Sequence, residues 1–197
     1  MMKKNALAVL TAILLLLCGA YISIKAAEAS GLGSVPSRSL SFYNTHTHEK
    51  LDITYWKSGR YVAEAQTDVN WLLRDHRAQS DTQMSRDLMN LLHSIKVKLE
   101  SKYPSQDVVF HVISGYRSPQ TNSMLRANGG GQAKKSRHMH GDAIDIRVPG
   151  IPSSEVRNVA WCLQRGGVGY YSGSDFVHVD THTVRHWNWS PRNLICE

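Results

Sequence analysis

The sequence predicts an α+β domain built on a small antiparallel sheet with flanking helices. Two observations predict it, and a third points to its chemistry. Period-two strand patterns and period-3.6 helix patterns both occur, without the regular alternation of a parallel βαβ sheet. The 197 residues suffice for one domain with a real core. Residues 136–146, SRHMHGDAIDI, set His138, His140, Asp142 and Asp145 among small and apolar neighbours. A buried strand tolerates so many titratable groups only where something compensates them, and a metal ion is the obvious compensator.

In chain order, MMKK is a positive start and residues 6–24 are an uninterrupted apolar run. Such a pattern predicts export. A signal peptide cleaved after Ala27-Glu28-Ala29 is the favoured reading, and an uncleaved membrane anchor is the alternative, the run being just long enough to span. Residues 1–29 are assigned to this leader or anchor, and Cys18 is rejected as a lipid-attachment site because Leu17 precedes it where a small residue is needed. Residues 30–39, SGLGSVPSRS, read as a flexible linker and residues 40–197 as the folded domain. The expected location is the periplasm or cell envelope.

Within the domain, LSFYNTHTHEKLDITYWKSGRY alternates in short runs, like strands of a meander. AEAQTDVNWLLRDHRA and SRDLMNLLHSIKVKLES have helical periodicity, the second with a stripe of Leu88, Leu91, Leu92, Ile95 and Leu99. DVVFHVISGY is a strand ending in a glycine turn, and SPQTNSMLRANGGG is a short helix closed by glycines. DAIDIRV is a strand, SSEVRNVAWCLQR a helix with a serine cap, and GVGYY and FVHVDTH are strands.

The net charge of +7 is a weak pointer to an acidic partner, since Lys3, Lys4 and Lys25 flank the apolar run. No basic stripe is interleaved with aromatics, which argues against nucleic acid. A monomer is expected. Cys162 and Cys196 are the cysteines of the exported part. A disulfide tying down the tail and two buried thiols are both open readings.

Strand parity places Ala143, Asp145 and Arg147 on one face of DAIDIRV, and His178, Asp180 and His182 on one face of FVHVDTH. Two neighbouring antiparallel strands would bring Asp145 to His178, and His138 reaches the same point from the preceding loop. Two imidazoles and a carboxylate leave a fourth zinc position for water, as hydrolysis requires. The other histidines are weaker candidates. His46 and His48 have an H-x-H spacing in a turn-rich segment, and His76 and His93 read as solvated or structural.

SRHMHGDAID resembles the S-x-H-x-x-G-x-A-x-D signature of zinc D-Ala-D-Ala peptidases at Ser136, His138, Gly141, Ala143 and Asp145. SGYRS resembles their upstream G-Y-R motif, and the downstream histidine falls in DFVHVD. From about residue 40 to Trp187 the chain is similar to the MepK-type murein endopeptidases. The resemblance implies an envelope zinc peptidase that cuts peptide cross-links of peptidoglycan, on a fold shared with lysostaphin-type and Hedgehog-type domains. It implies zinc ligands His138, Asp145 and His178, with Arg117 on the scissile carbonyl or its oxyanion. One departure stands out. The family's E-x-x-H base position holds Asp175, and the aromatic before the histidine is Val177. The base is therefore left between Asp175 and Asp180, with His186 as a substrate-contacting or proton-transfer residue.

The bond cut is also open. A glycine-rich, cationic loop with Lys134, Lys135 and Arg137 suits a groove admitting cross-linked stem peptides. Cross-linked dimers are thus the expected substrate, with D-Ala–diaminopimelate or diaminopimelate–diaminopimelate links. The alternatives are a D,D- or L,D-carboxypeptidase and a non-catalytic zinc-containing module that binds cell wall.

Overall fold

The structure, a computed structural model, describes residues 36–192 and 194–196. The N-terminal apolar run, Cys18 and most of the linker lie outside the described residues. The elements in chain order are β1 (Ser37–Asn44), β2 (Lys50–Lys57), β3 (Arg60–Tyr61), α1 (Ala63–Leu72) and α2 (Arg86–Lys102). There follow β4 (Val109–Ser114), α3 (Pro119–Ala127), β5 (Ala143–Arg147), α4 (Ser153–Cys162), β6 (Gly167–Tyr171), β7 (Phe176–Asp180) and β8 (Arg185–Trp187). Strand β1 begins at Ser37, three residues inside the segment read as linker, because those residues already pair with the end of β2.

All eight strands form one sheet in the order β3-β2-β1-β4-β5-β7-β6-β8. The α+β class is as expected, but the sheet is larger than expected and mixed. The crossover through α1 and α2 returns β4 parallel to β1, and β8 runs parallel to β6. The four strands between, β4-β5-β7-β6, are antiparallel.

Helix α2 starts at Ser85, whose side chain accepts from the Asp87 amide, and it buries the stripe Leu88, Leu91, Leu92, Ile95 and Leu99. Ser118 caps α3 by accepting from Thr121 N, with Pro119 in the first turn. The helical pattern that begins at Ala63 stops early, at Leu72. Asp75 accepts from the amides of Arg77 and Ala78, offering that backbone a turn in place of a further helical one. The serine cap expected for α4 does not form. Pro152 holds the cap position and Ser153 is the first helical residue, buried.

One apolar cluster joins the sheet to the helices. Leu40, Phe42, Phe110, Val112, Ile144, Ile146, Val177 and Val179 meet Leu88, Leu92, Ile95 and Val156. Because side chains alternate along a strand, the residues between these valines and isoleucines face the other way. Those residues are Asp145 and His178. Cys162, the last residue of α4, forms a disulfide with Cys196, which resolves the two readings of the cysteines. Among the described residues no helix is long and apolar enough to cross a membrane.

Candidate metal centre

The register of β5 against β7 sets Asp145 directly opposite His178. His138 enters from a 3-10 turn, Arg137–His140, that leads into β5. The turn ends at Gly141 with φ +70°, where an added Cβ would stand 2.8 Å from the Gln83 carbonyl oxygen. Both the left-handed backbone and that close approach call for glycine.

His138 Nε2, His178 Nδ1 and Asp145 Oδ1 converge. The two nitrogens are 3.1 Å apart, and the oxygen lies 2.9 Å from His178 and 3.3 Å from His138. All three side chains are buried. The outer nitrogens are committed elsewhere. His138 Nδ1 donates to the Gly115 carbonyl at 2.7 Å, and His178 Nε2 donates to Asp180 Oδ2 at 3.0 Å. Carbonyl and carboxylate oxygens only accept, so the protons sit on those outer nitrogens. Two lone pairs and a carboxylate oxygen are then left facing one another with no donor among them.

That arrangement fits a divalent cation. Tetrahedral zinc with bonds of about 2.0–2.1 Å separates its ligand atoms by roughly 3.3 Å, close to the observed spacing. The outer partners, a backbone carbonyl and a carboxylate, are those that usually orient zinc-bound imidazoles. Electrostatics agrees. Burial alone pushes the Asp145 carboxyl up, but His138 and then His178 reverse this and hold it far below the usual carboxylate range. Burial also lowers His178, yet its hydrogen bonds to Asp145 and Asp180 raise it overall.

Arg117 joins this cluster. Its Nη2 lies 3.9 Å from Asp145 Oδ2 and donates to Ser114 Oγ at 3.1 Å. Burial lowers the guanidinium, while Asp145 foremost pulls it back up. Asp180 sits behind His178, fully buried. Its oxygens accept from His178, from Arg185 at 2.6 and 3.1 Å, and from the amides of Gly167 and His182.

The structure does not bring the remaining two candidates to the cluster. Asp175 is exposed in a left-handed turn and lines a separate cavity with Arg147, Pro149 and Pro152. His186 alternates to the far side of β8, where Nδ1 meets the Trp189 carbonyl and the ring packs on Trp161. His182 is exposed beyond the end of β7. His46 stacks on His76, and His48 bonds the Tyr43 hydroxyl. Asp142 pairs with Arg137, and His140 is exposed.

The cluster forms the floor of an open cleft of about 750 Å³, whose rim includes Lys135, Arg137, Arg185 and Trp187. Asp145 is the only carboxylate among the described residues that line it. Sequence reasoning missed Trp187, whose ring lies 5.0 Å from that of His178, and Tyr171 beside it. Parity in GVGYY would have placed Tyr171 on the His178 face, but a three-residue strand gives too little periodicity to place Trp187.

A family model described as peptidoglycan L,D-endopeptidase MepK matches residues 33–187. The chain belongs to this family. Over 150 residues it is 39% identical to peptidoglycan L,D-endopeptidase MepK of Escherichia coli strain K12, covering 76% of this chain and 80% of the relative. The protein of that name from Shigella flexneri matches to the same extent. The probable peptidoglycan L,D-endopeptidase MepK of Haemophilus influenzae is 36% identical over 167 residues, 84% of this chain and 88% of the relative. MepK-family membership makes the chain a metallopeptidase, and the three converging acceptors are the group of described residues suited to its metal.

Proposed function

We propose that this chain is an exported zinc endopeptidase that hydrolyses peptide cross-links of peptidoglycan. The observation that carries the reading is the set of three buried acceptors, His138, Asp145 and His178, on the floor of an open cleft beside Arg117. The relatives' names specify an L,D-endopeptidase, which favours a diaminopimelate–diaminopimelate link over the D,D link of D-Ala–diaminopimelate. The Cys162–Cys196 disulfide supports an oxidising compartment outside the cytoplasm.

His138, Asp145 and His178 hold the metal. Zinc held there would supply a Lewis acid and lower the pKa of a water to about 7. Neither Asp175 nor Asp180 lines the cleft. Asp180 instead fixes the tautomer and angle of His178, and Arg185 holds Asp180. Arg117 presents a fixed cation to the scissile carbonyl oxygen, where negative charge grows in the transition state. The largely exposed loop of Gly130 to Arg137 lines the cleft, which is open to solvent. An open groove admits a branched polymer, whereas a carboxypeptidase needs one end closed.

Purified muropeptides of defined linkage test the reading by mass spectrometry of the products. Chelator-sensitive conversion of L,D-linked dimers to monomers is expected. Release of terminal D-Ala alone, with dimers persisting, would overturn it.

A further inference from the structure

One wall of the cleft is aromatic. Tyr171 and Phe176 stack with centroids 4.4 Å apart and planes 16° apart, and Trp187 completes the wall beside His178. Trp187 lies flat across β6 because Gly169 has no side chain. A Cβ there would stand 2.3 Å from the indole Cε2. Gly169 pairs with His178 in the β6–β7 register, so Tyr171, two residues on, projects from the same face.

The hydrogen bonding of this wall is directional. Trp187 Nε1 donates to the Tyr171 hydroxyl at 2.9 Å. An indole N–H only donates, so the phenol oxygen accepts there and its own proton is left to give. Among the described residues no acceptor takes that proton. Tyr171 lines the same cleft as Arg117, Asp145 and His178. A half-buried hydroxyl with its acceptor side filled and its donor side free, in a cleft that also presents the Arg117 guanidinium, is prepared for an anionic oxygen.

We propose that the Tyr171 hydroxyl is a catalytic hydrogen-bond donor. With Arg117 it binds the oxyanion of the tetrahedral adduct at the scissile carbonyl, and Trp187 is its positioning residue. This rests on the peptidase reading above. The water oxygen bonds the carbonyl carbon as the C=O π pair moves onto oxygen. Collapse of the adduct returns that pair and breaks the C–N bond, and the departing amine takes up the proton released by the water. Tyr171 gives a hydrogen bond throughout and transfers no proton.

Tyr171→Phe keeps the ring and its stacking on Phe176 and removes only the hydroxyl. With L,D-linked dimer, kcat is expected to fall ~10²-fold, the usual effect of losing one oxyanion donor. KM should stay within about twofold and bound zinc should be unchanged. Affinity for a phosphinate mimic of the tetrahedral adduct should fall by a similar factor, while affinity for the cleaved product holds. Trp187→Phe should weaken phosphinate binding in the same direction by less. A Tyr171→Phe enzyme with unchanged kcat, or a loss confined to KM, would overturn the proposal, as would unchanged phosphinate affinity. If the wild-type protein cleaves no cross-link, the peptidase reading fails by itself, and the phosphinate affinities still decide the role of Tyr171.

Discussion

His178 donates through Nε2 to Asp180 Oδ2 at 3.0 Å, and this bond determines that Nδ1 is the nitrogen facing Asp145. The oxygen that receives it also accepts from Arg185 at 2.6 Å. Arg185, Asp180 and His178 thus form a chain running from β8 through the end of β7 to the cluster. Burial pushes the Asp180 carboxyl up, but His178 and Arg185 outweigh this and hold it well below the usual range, so it is ionised and accepts only. A carboxylate in this position raises the basicity of the imidazole and locks its orientation.

Asp180→Asn is expected to lower zinc affinity by about 10–100-fold, the usual cost of losing an outer-sphere partner. Competition with a zinc-binding dye measures it. Saturating zinc should restore most of the activity. If Asp180 were the general base, zinc affinity would hold and kcat would collapse even at saturation.

Asp75 gives a prediction in pH. It accepts from Ser118 N and Oγ at 2.9 and 2.7 Å, anchoring the start of α3 directly after Arg117. Burial pushes its carboxyl up, but hydrogen bonds from Thr121 and Ser118 bring it down from 3.8 to about 2. With the folded value below the unfolded one, the stabilisation is complete above the unfolded pKa. It is lost as pH falls through the folded value. The shift corresponds to roughly 2 kcal/mol. In urea denaturation, Asp75→Asn should be less stable than wild type by about that amount at pH 5, with the gap narrowing toward pH 2. A gap that does not change with pH would contradict this assignment.

The disulfide closes a segment with a sequence separation of 34 that contains β6, β7 and β8. Chain entropy assigns such a loop about 4 kcal/mol of stability. Cys196→Ser should therefore lower the urea midpoint and leave zinc stoichiometry at 25 °C intact. An unchanged midpoint would show that the tail is held by other contacts, such as the packing of Trp189 on Trp161.

Much of the site is legible in the sequence. Strand parity alone brings Asp145 to His178, since both lie on strands whose alternate residues are Val or Ile, and these two residues are direct partners in the sheet. The signature residues Gly141 and Ala143 then supply a tight turn and a small side chain beside them. Parity also puts Asp180 on the His178 face. It cannot say that Asp180 stands behind the ring, because that depends on Arg185 and on the amides of Gly167 and His182, which reach it from beyond β7. The places of His186 and Asp175, both away from the cluster, are not legible for a related reason. A three-residue strand has no readable period, and Asp175 sits in a left-handed turn that aims it away from the cleft. The mixed sheet was hidden as well, because pairing β1 to β4 spans two helices that local pattern cannot bridge.

Zinc titration of metal-free protein, with cleavage of an L,D-linked muropeptide dimer followed by mass spectrometry, tests the central claim most directly. Cleavage should be absent without metal, rise in proportion to added zinc and level off at one ion per chain. His138→Ala and His178→Ala should bind no zinc and stay inactive across the titration. Full cleavage by the metal-free protein, or stoichiometric zinc in both variants, would contradict the account.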